Sequence, residues 1–527
     1  MPETLSESKK ELLERLRRGL ARPAGRKQEI VRRSEEIDAP MSYAQQQIWL
    51  HSQFSTALPI YNEPVTVHRT DALDRFVLER AFTEIVRRHE SWRTTFGWKG
   101  GELVQHVQPA PGHIAIPFVD LSGVPEEARE EAALRIAKAD ALAPFDLAAG
   151  PMYRPRLVRI SQDTHRLYLS LHHIIFDGVS MYRAFLPELQ TLYECFSQDM
   201  PSLLADLPLQ YADYALWHRR RVEEIAPHQL AYWQEKLAGV IRRDVLKTDH
   251  PRPAIQSYRG SMVKFSLDPE TSRAVREVSQ RLDVTRFMAL LTAFVILIRA
   301  RSGEEDLIVG TTSAGRNRSE LEGMLGCFLN TIMLRMDLSG DPSFLELAQQ
   351  CKDELLGALA NDGLPFTLLV KELAWERDGS RHPLFQVLFS MEPPLVPLKP
   401  GWNYSQMDVE TGCAKFDLHL ELDEFPTGIG GRFIYNTDLF ERSTIEQMIE
   451  DWRAIVSRSV ADPSRRISQL LPDSYAVRKT ALPEGMAAST SGLLSQPARL
   501  LDSVRRLFSQ KGNQEGSRFS KRLKGSR

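Results

Sequence analysis

The chain has 527 residues, room for about two to four domains and a sizeable core. Hydrophobic residues make up 42% and charged residues 26%, which excludes extensive disorder. The net charge of −2 gives the chain as a whole no electrostatic footprint for nucleic acid.

In chain order, the opening MPETLSESKKELLERLRRGL is charged throughout, which argues against a secretory signal. Residues 1–38 carry ten Lys/Arg and eight Asp/Glu, with Leu12, Leu13, Leu16 and Leu20 at helical spacing. They read as a leader helix and linker, either solvated or a docking element for a partner chain. Residues 39–474 form the globular body. Strand-like VTVHRT precedes helical LDRFVLERAFTEIVRRHE and strand-like SWRTTFGW. RLYLSLHHII precedes helical SMYRAFLPELQTLYECFSQ, and MVKFSL leads through a helix pair ending ILIRARSG to DLIVGTTS. This alternation predicts an α/β fold with helix-covered sheets. A shared strand–helix–strand order near 65–96 and 262–312 suggests two similar lobes, an N-terminal one over 39–225 and a C-terminal one over 226–474. The apolar stretch from Phe287 to Ile298 is about half a membrane span and reads as a buried helix.

Residues 475–527 hold eleven Lys/Arg against three Asp/Glu, and Leu500, Leu501, Val504, Leu507 and Phe508 share a face beside Arg505 and Arg506. Such a basic amphipathic segment suits a membrane surface or an acidic partner; the expectation is a solvated, largely disordered tail. The four cysteines, Cys195, Cys327, Cys351 and Cys413, are far apart with no C-x-x-C or Cys/His pairing. That argues against a disulfide scaffold or zinc site, and for a soluble, cytoplasmic protein.

The sharpest local feature is LSLHHIIFDGVS. Leu167, Leu169 and Leu171 alternate with Tyr168, Ser170 and His172 as in a half-buried strand, and continued alternation sends His172 and His173 to opposite faces. Asp177 and Gly178 then form a turn, with Ser180 as the N-cap of a helix beginning near Met181. A metal site needs convergent ligands, and neighbouring strand histidines diverge. A structural role is the default for a lone histidine, whereas two His, an Asp and a Gly within seven residues point to acid–base work. A buried Asp177 requires a cationic partner.

The motif H-H-x-x-x-D-G, carried by His172, His173, Asp177 and Gly178, resembles the signature of the condensation domains of nonribosomal peptide synthetases. The resemblance continues in order through MSYAQQQIW (Met41–Trp49), RRHESWRTTF (Arg87–Phe96), YADYALWHR (Tyr211–Arg219) and VGTTSAGRNRSELEGMLGCFLNT (Val309–Thr331). NDGLPFTLLVKEL, RHPLFQVLFS, KFDLHLEL and YNTDLFERSTIEQM extend it towards residue 460. Departures stand at Gln47, Val179, Asn361 and Thr367, and bear on carrier or acceptor preference.

The resemblance implies two chloramphenicol-acetyltransferase-like lobes arranged as a V, with a central tunnel meeting at the HHxxxDG loop. Donor and acceptor would arrive from opposite ends as thioesters on the phosphopantetheine arms of carrier proteins. The product would be an amide in nonribosomal peptide or hybrid polyketide biosynthesis. His173 matches the family's active-site histidine, as general base or as the group that positions the amine; His172 reads as a packing residue. The pattern implies a salt bridge from Asp177 to Arg316, and a turn at Gly178 that also admits the phosphopantetheine arm. Arg93 is expected to support the active-site loop, and Asn330 reads as scaffold. No metal and no cofactor of its own are expected, and the protein is expected to be a monomer. Without an adenylation loop, a carrier G-G-x-S, a G-x-S-x-G elbow or a Walker loop, the chain reads as a stand-alone condensation enzyme. Two alternatives remain: a free-standing acyltransferase using a soluble amine or alcohol, and a non-catalytic platform that recruits carrier proteins.

Overall fold

The computed structural model describes residues 29–472, apart from 35–37, 55–57, 241–244, 374–377, 395–396, 406–407 and 426–427. The leader helix and the basic tail lie outside the described residues. The first seven strands are β1 (Ala39–Pro40), β2 (Asn62–Arg69), β3 (Thr94–Lys99), β4 (Glu102–Val107), β5 (Phe118–Asp120), β6 (Tyr153–Ser161) and β7 (Thr164–His172). They are followed by β8 (Gly260–Ser266), β9 (Asp306–Ser313), β10 (Asn330–Asp337), β11 (Val387–Met391), β12 (Trp402–Ser405), β13 (Leu418–Phe425) and β14 (Gly428–Asn436). They build a five-stranded sheet in the order β12-β2-β7-β6-β5, a six-stranded sheet in the order β10-β9-β11-β13-β14-β8, and a small β1-β4-β3 sheet. The fold is the expected mixed α/β one.

In the first sheet the alternating Leu167, Leu169 and Leu171 of β7 are buried with Val65 and Val67 of β2. The helix Arg75–Arg88 covers this face with Leu78, Ala81, Phe82 and Ile85. It starts where the Asp74 carboxylate accepts the N–H groups of Phe76 and Val77, satisfying two donors that helix geometry leaves unpaired. The apolar run read as a buried helix is the helix Arg286–Ser302, in which every residue from Met288 to Ile298 is buried. It is enclosed by the second sheet and by the helices Phe344–Ala360 and Arg442–Ala461. An element apolar all round belongs in a protein interior. Among the described residues no helix is long and apolar enough to cross a membrane.

The lobe boundary expected at 225/226 falls inside one continuous helix, Tyr211–Lys236, and the chain does not stay in its second half after it. β12 returns to pair antiparallel with β2, and its Trp402 and Tyr404 are buried in the first core, as are Leu325 and Cys327. The first sheet and its core are thus completed by residues from the second half. The segment before β1 is also fixed to the body. Ile30 is buried beside Tyr211, Met324 and Phe328, and Arg33 pairs with Glu90 (2.6 Å) and Asp213 (3.1 Å).

Candidate active site

β7 stops at His172, opposite Asn62 at the start of β2. The His172 imidazole accepts the Ile174 N–H through Nδ1 (3.3 Å) and so caps a single 3-10 turn, His173–Ile175. The two histidines therefore diverge because the strand gives way to a turn, not because its pleat continues. His172 is buried against the rings of Phe145 and Tyr61 (5.8 and 6.0 Å). It forms part of the wall of a cavity of about 270 Å³ that also includes His51 and Asp146. His173 is half-buried. Its backbone N–H donates to the Tyr61 carbonyl (2.8 Å), its ring lies by Phe176 (5.3 Å), and its Nδ1 is 3.8 Å from Cys327 Sγ.

Asp177, fully buried, organises the loop. Its carboxylate accepts from the Ser180 N–H and O–H (both 2.7 Å), from the Phe328 N–H (3.0 Å) and from Arg316 Nη2 (2.9 Å). Asp177, not Ser180, is thus the N-cap of the helical turn that begins at Gly178. The Ser180 hydroxyl instead takes hydrogen bonds from Arg316 Nη2 (2.7 Å) and the Gly326 N–H (3.2 Å). Arg316 also donates to the carbonyls of Leu321 (2.5 Å) and Met324 (2.8 Å), and its guanidinium stacks 4.0 Å from the centre of the Phe328 ring. A pair this buried holds where its remaining donors and acceptors find partners; here Ser180 and the 315–328 carbonyls take the Arg316 Nη hydrogens, while its Nε has no partner among the described residues. Gly315 is indispensable to that segment: its φ is +63°, and a Cβ there would lie 2.1 Å from the Phe328 carbonyl oxygen.

Arg93 donates to the Gln108 carbonyl (2.5 Å) and faces Glu90 at 3.9 Å. Two other residues of the same segment bond directly to Leu325. Ser91 Oγ donates to the Leu325 carbonyl (2.8 Å), and His89 Nδ1 accepts the Leu325 N–H (3.3 Å). Asn330 is bonded through its amide to the carbonyls of Asp362 and Leu364 (both 2.8 Å) and so braces the turn before Phe366.

Gly178 has an additional reason to be glycine, because a Cβ would lie 2.0 Å from Glu392 Oε2. Glu392 follows β11, and burial together with Glu421 and Asp423 pushes its carboxyl well above the usual range. The strand that brings those two residues does not stand out in the sequence. In LHLELDEF the leucines 418, 420 and 422 fill the second core. The alternate face carries His419, Glu421 and Asp423, with Arg432 of β14 opposite Glu421 and bonded to it at 2.8 Å. Tyr182 of the first half donates to Asp423 Oδ1 (3.2 Å). The alternation is legible, but a polar face is ordinarily assigned to solvent, and here it faces protein.

Burial keeps the site's histidines neutral. It pushes His172 down to about 3, aided by the neighbouring His173 and by Lys415, and His51 down to about 4, aided by Lys415. His173 is lowered by burial and then by Lys415, against Glu63 and a hydrogen bond with its own backbone. The Cys327 thiol is pushed up by burial and stays protonated. A second cleft, about 120 Å³, includes Phe328 and Trp217 as well as Gln47 and Thr367, two of the departures from the family pattern. Asp362 at its wall is raised by burial to about 6. Among the described residues no group of three or more His, Cys, Asp or Glu could hold a metal ion.

The family model of the condensation domain matches residues 35–476. A linear gramicidin synthase of Brevibacillus parabrevis is 40% identical over 443 residues, 83% of this chain but 8% of that one. Phosphinothricin tripeptide synthetase PhsC of Streptomyces viridochromogenes is 35% identical over 481 residues, 88% of this chain and 43% of the relative. The chain thus spans less than half the length of either synthetase. Among solved structures, the X-domain from teicoplanin biosynthesis superposes with a TM-score of 0.72 at 26% identity, covering 84% of this chain and 99% of that one. The first condensation domain of the calcium-dependent antibiotic synthetase gives a TM-score of 0.73 at 19% identity, over 83% of this chain and 100% of that one, a likeness of fold.

Proposed function

The chain belongs to the condensation-domain family, the amide-forming acyltransferase domains of nonribosomal peptide synthetases, and from that premise we propose that it joins substrates held on two carrier proteins. The donor is an acyl or peptidyl thioester and the acceptor an aminoacyl thioester, each on a phosphopantetheine arm; no cofactor resident in the chain takes part. The observation that carries this reading is the state of the HHxxxDG loop. His173 is neutral and half-buried, on a loop that Asp177 and Arg316 lock in place.

In the reaction the acceptor nitrogen attacks the thioester carbonyl carbon. The C–N bond forms, the C–S bond breaks, the nitrogen loses one proton and the departing thiolate gains one. The Nδ1 edge of His173 faces Cys327, so Nε2 is the nitrogen offered to the amine. As a general base it would contribute about 10²–10⁴-fold; as a hydrogen-bond acceptor it would hold the amine and stabilise developing charge. Aligning two tethered reactants supplies about 7–11 kcal/mol in well-oriented systems. His172 in the wall of the cavity and Phe328, bonded to Asp177, in the wall of the cleft set both next to the loop.

Intact-protein mass spectrometry tests this with an aminoacyl-loaded acceptor carrier, an acyl-loaded donor carrier and the enzyme. The acceptor should gain the donor acyl mass, and His173→Ala should lower the rate at least a hundredfold. Transfer only to a free amine or alcohol would overturn the two-carrier reading in favour of a free-standing acyltransferase. No transfer with both carriers still bound would favour a recruitment platform, a reading that the likeness to the X-domain, solved in complex with OxyB, makes specific.

A further inference from the structure

Residues 325–328 are fixed one after another by groups from several elements. Ser91 and His89 hold the Leu325 carbonyl and N–H, Ser180 Oγ accepts the Gly326 N–H (3.2 Å), and the Asp177 carboxylate accepts the Phe328 N–H (3.0 Å). Between them the Tyr211 hydroxyl donates to the Cys327 carbonyl, and it is itself paired with Ser42 Oγ (2.8 Å). A backbone held at four successive residues leaves the Cys327 side chain little choice of direction. The residue is buried, and its Sγ lies 3.8 Å from His173 Nδ1. The Leu329 N–H donates to the same sulfur.

On the histidine's side the backbone is settled as well. The His173 N–H donates to the Tyr61 carbonyl (2.8 Å) and the ring lies by Phe176, which leaves rotation about the Cβ–Cγ bond to be fixed. The ring makes a hydrogen bond with its own backbone. Only Nδ1, the nitrogen beside Cγ, can reach that carbonyl, so Nδ1 carries the proton. On the same edge, Cys327 Sγ is, among the described residues, the one side-chain atom within hydrogen-bond reach of the ring. In a neutral imidazole the hydrogen bond made at one nitrogen decides where the lone pair stands; here it falls to Nε2. A thiolate or carboxylate at this place would stabilise the imidazolium and hold a second proton on the ring. The buried thiol stays protonated and adds direction without charge.

We propose that Cys327 is a positioning residue for condensation: its sulfur receives the His173 Nδ1–H, which stops the ring from turning over and keeps the Nε2 lone pair on the side of the attacking amine. The inference rests on His173 being the reactive histidine. Cys327 is enclosed, touches no reacting atom and takes no part in acyl transfer.

The test reads the tautomer of His173 directly, by ring-nitrogen NMR of histidine-labelled full-length protein above the histidine's midpoint, the signal assigned by its loss in His173→Gln. The parent should show one tautomer, protonated at Nδ1. Cys327→Ala should show a mixture of the two. It should also lower kcat for carrier-to-carrier transfer by about two- to tenfold, the net worth of one hydrogen bond, with KM for both loaded carriers unchanged. Cys327→Ser, which keeps an acceptor at that place, should bring back the single tautomer and most of the rate. A parent ring protonated at Nε2, or a tautomer unchanged in folded Cys327→Ala, overturns the inference, as does an undiminished kcat in that variant when His173→Ala is inactive. If His173→Ala transfers at the parent rate, a changed tautomer in Cys327→Ala leaves the contact standing and the catalytic reading falls instead.

Discussion

At Gly315 two constraints coincide. The residue has a positive φ, and its missing side chain would lie 2.1 Å from the Phe328 carbonyl oxygen. That neighbour is backbone, and the Phe328 N–H on the same residue is bonded to Asp177 (3.0 Å), so it cannot retreat without disturbing the loop it holds. A left-handed conformation alone costs a non-glycine residue about 1–2 kcal/mol, and the steric conflict adds to it. Gly315→Ala is expected to destabilise the protein by about 2–4 kcal/mol, as overpacking on top of backbone strain. Gly323, in the same segment, has no neighbour within 4 Å of a built Cβ, so Gly323→Ala should stay within about 0.5 kcal/mol. Urea unfolding of both variants decides it, and similar midpoints would show that the turn can relax.

The loop and the segment that holds it form one element in energetic terms, although more than a hundred residues separate them in sequence. The pairing of Asp177 with Arg316 is legible because a buried carboxylate demands a cation and the family pattern supplies the partner. Ser180 misleads because a serine ahead of an apolar helix looks like a cap, and sequence does not show that Asp177 already satisfies that turn. The polar face of β13 stays hidden for a different reason. Alternation marks two faces but not which of them another part of the protein will cover. Removing one partner of a buried pair leaves an uncompensated charge, so Asp177→Ala and Arg316→Ala should each cost about 3–5 kcal/mol. The double variant should cost less than the two together, because it strands no charge. A double-mutant cycle by denaturant unfolding measures this, and simple additivity would mean that the surrounding hydrogen bonds, not the ion pair, hold the loop.

For the molecule as a whole, the return of β12 to the first sheet means that the first half does not fold around its own residues alone. Trp402 is the residue on which this join rests. Its ring is buried against Tyr193 (5.5 Å between ring centres), Arg69 lies over it at 5.0 Å, and its backbone is paired with Arg69 of β2. The periodicity that reveals β2, β7, β8 and β9 has no purchase on β12, since four residues are too few to show a pattern and the strand's partner lies in the other half of the chain. Trp402→Ala removes a large buried ring and should cost about 3–5 kcal/mol. Its more telling consequence is spatial. β12 is the edge strand beside β2, so the Thr66–Arg69 amides should lose protection from hydrogen exchange while the amides between β13 and β14 keep theirs. Hydrogen-exchange mass spectrometry of the variant separates local from global loosening. Protection lost only around β12 and β2 would identify the crossover as a tie that can open by itself, whereas uniform loss across both large sheets would mean that the two halves unfold as a single unit.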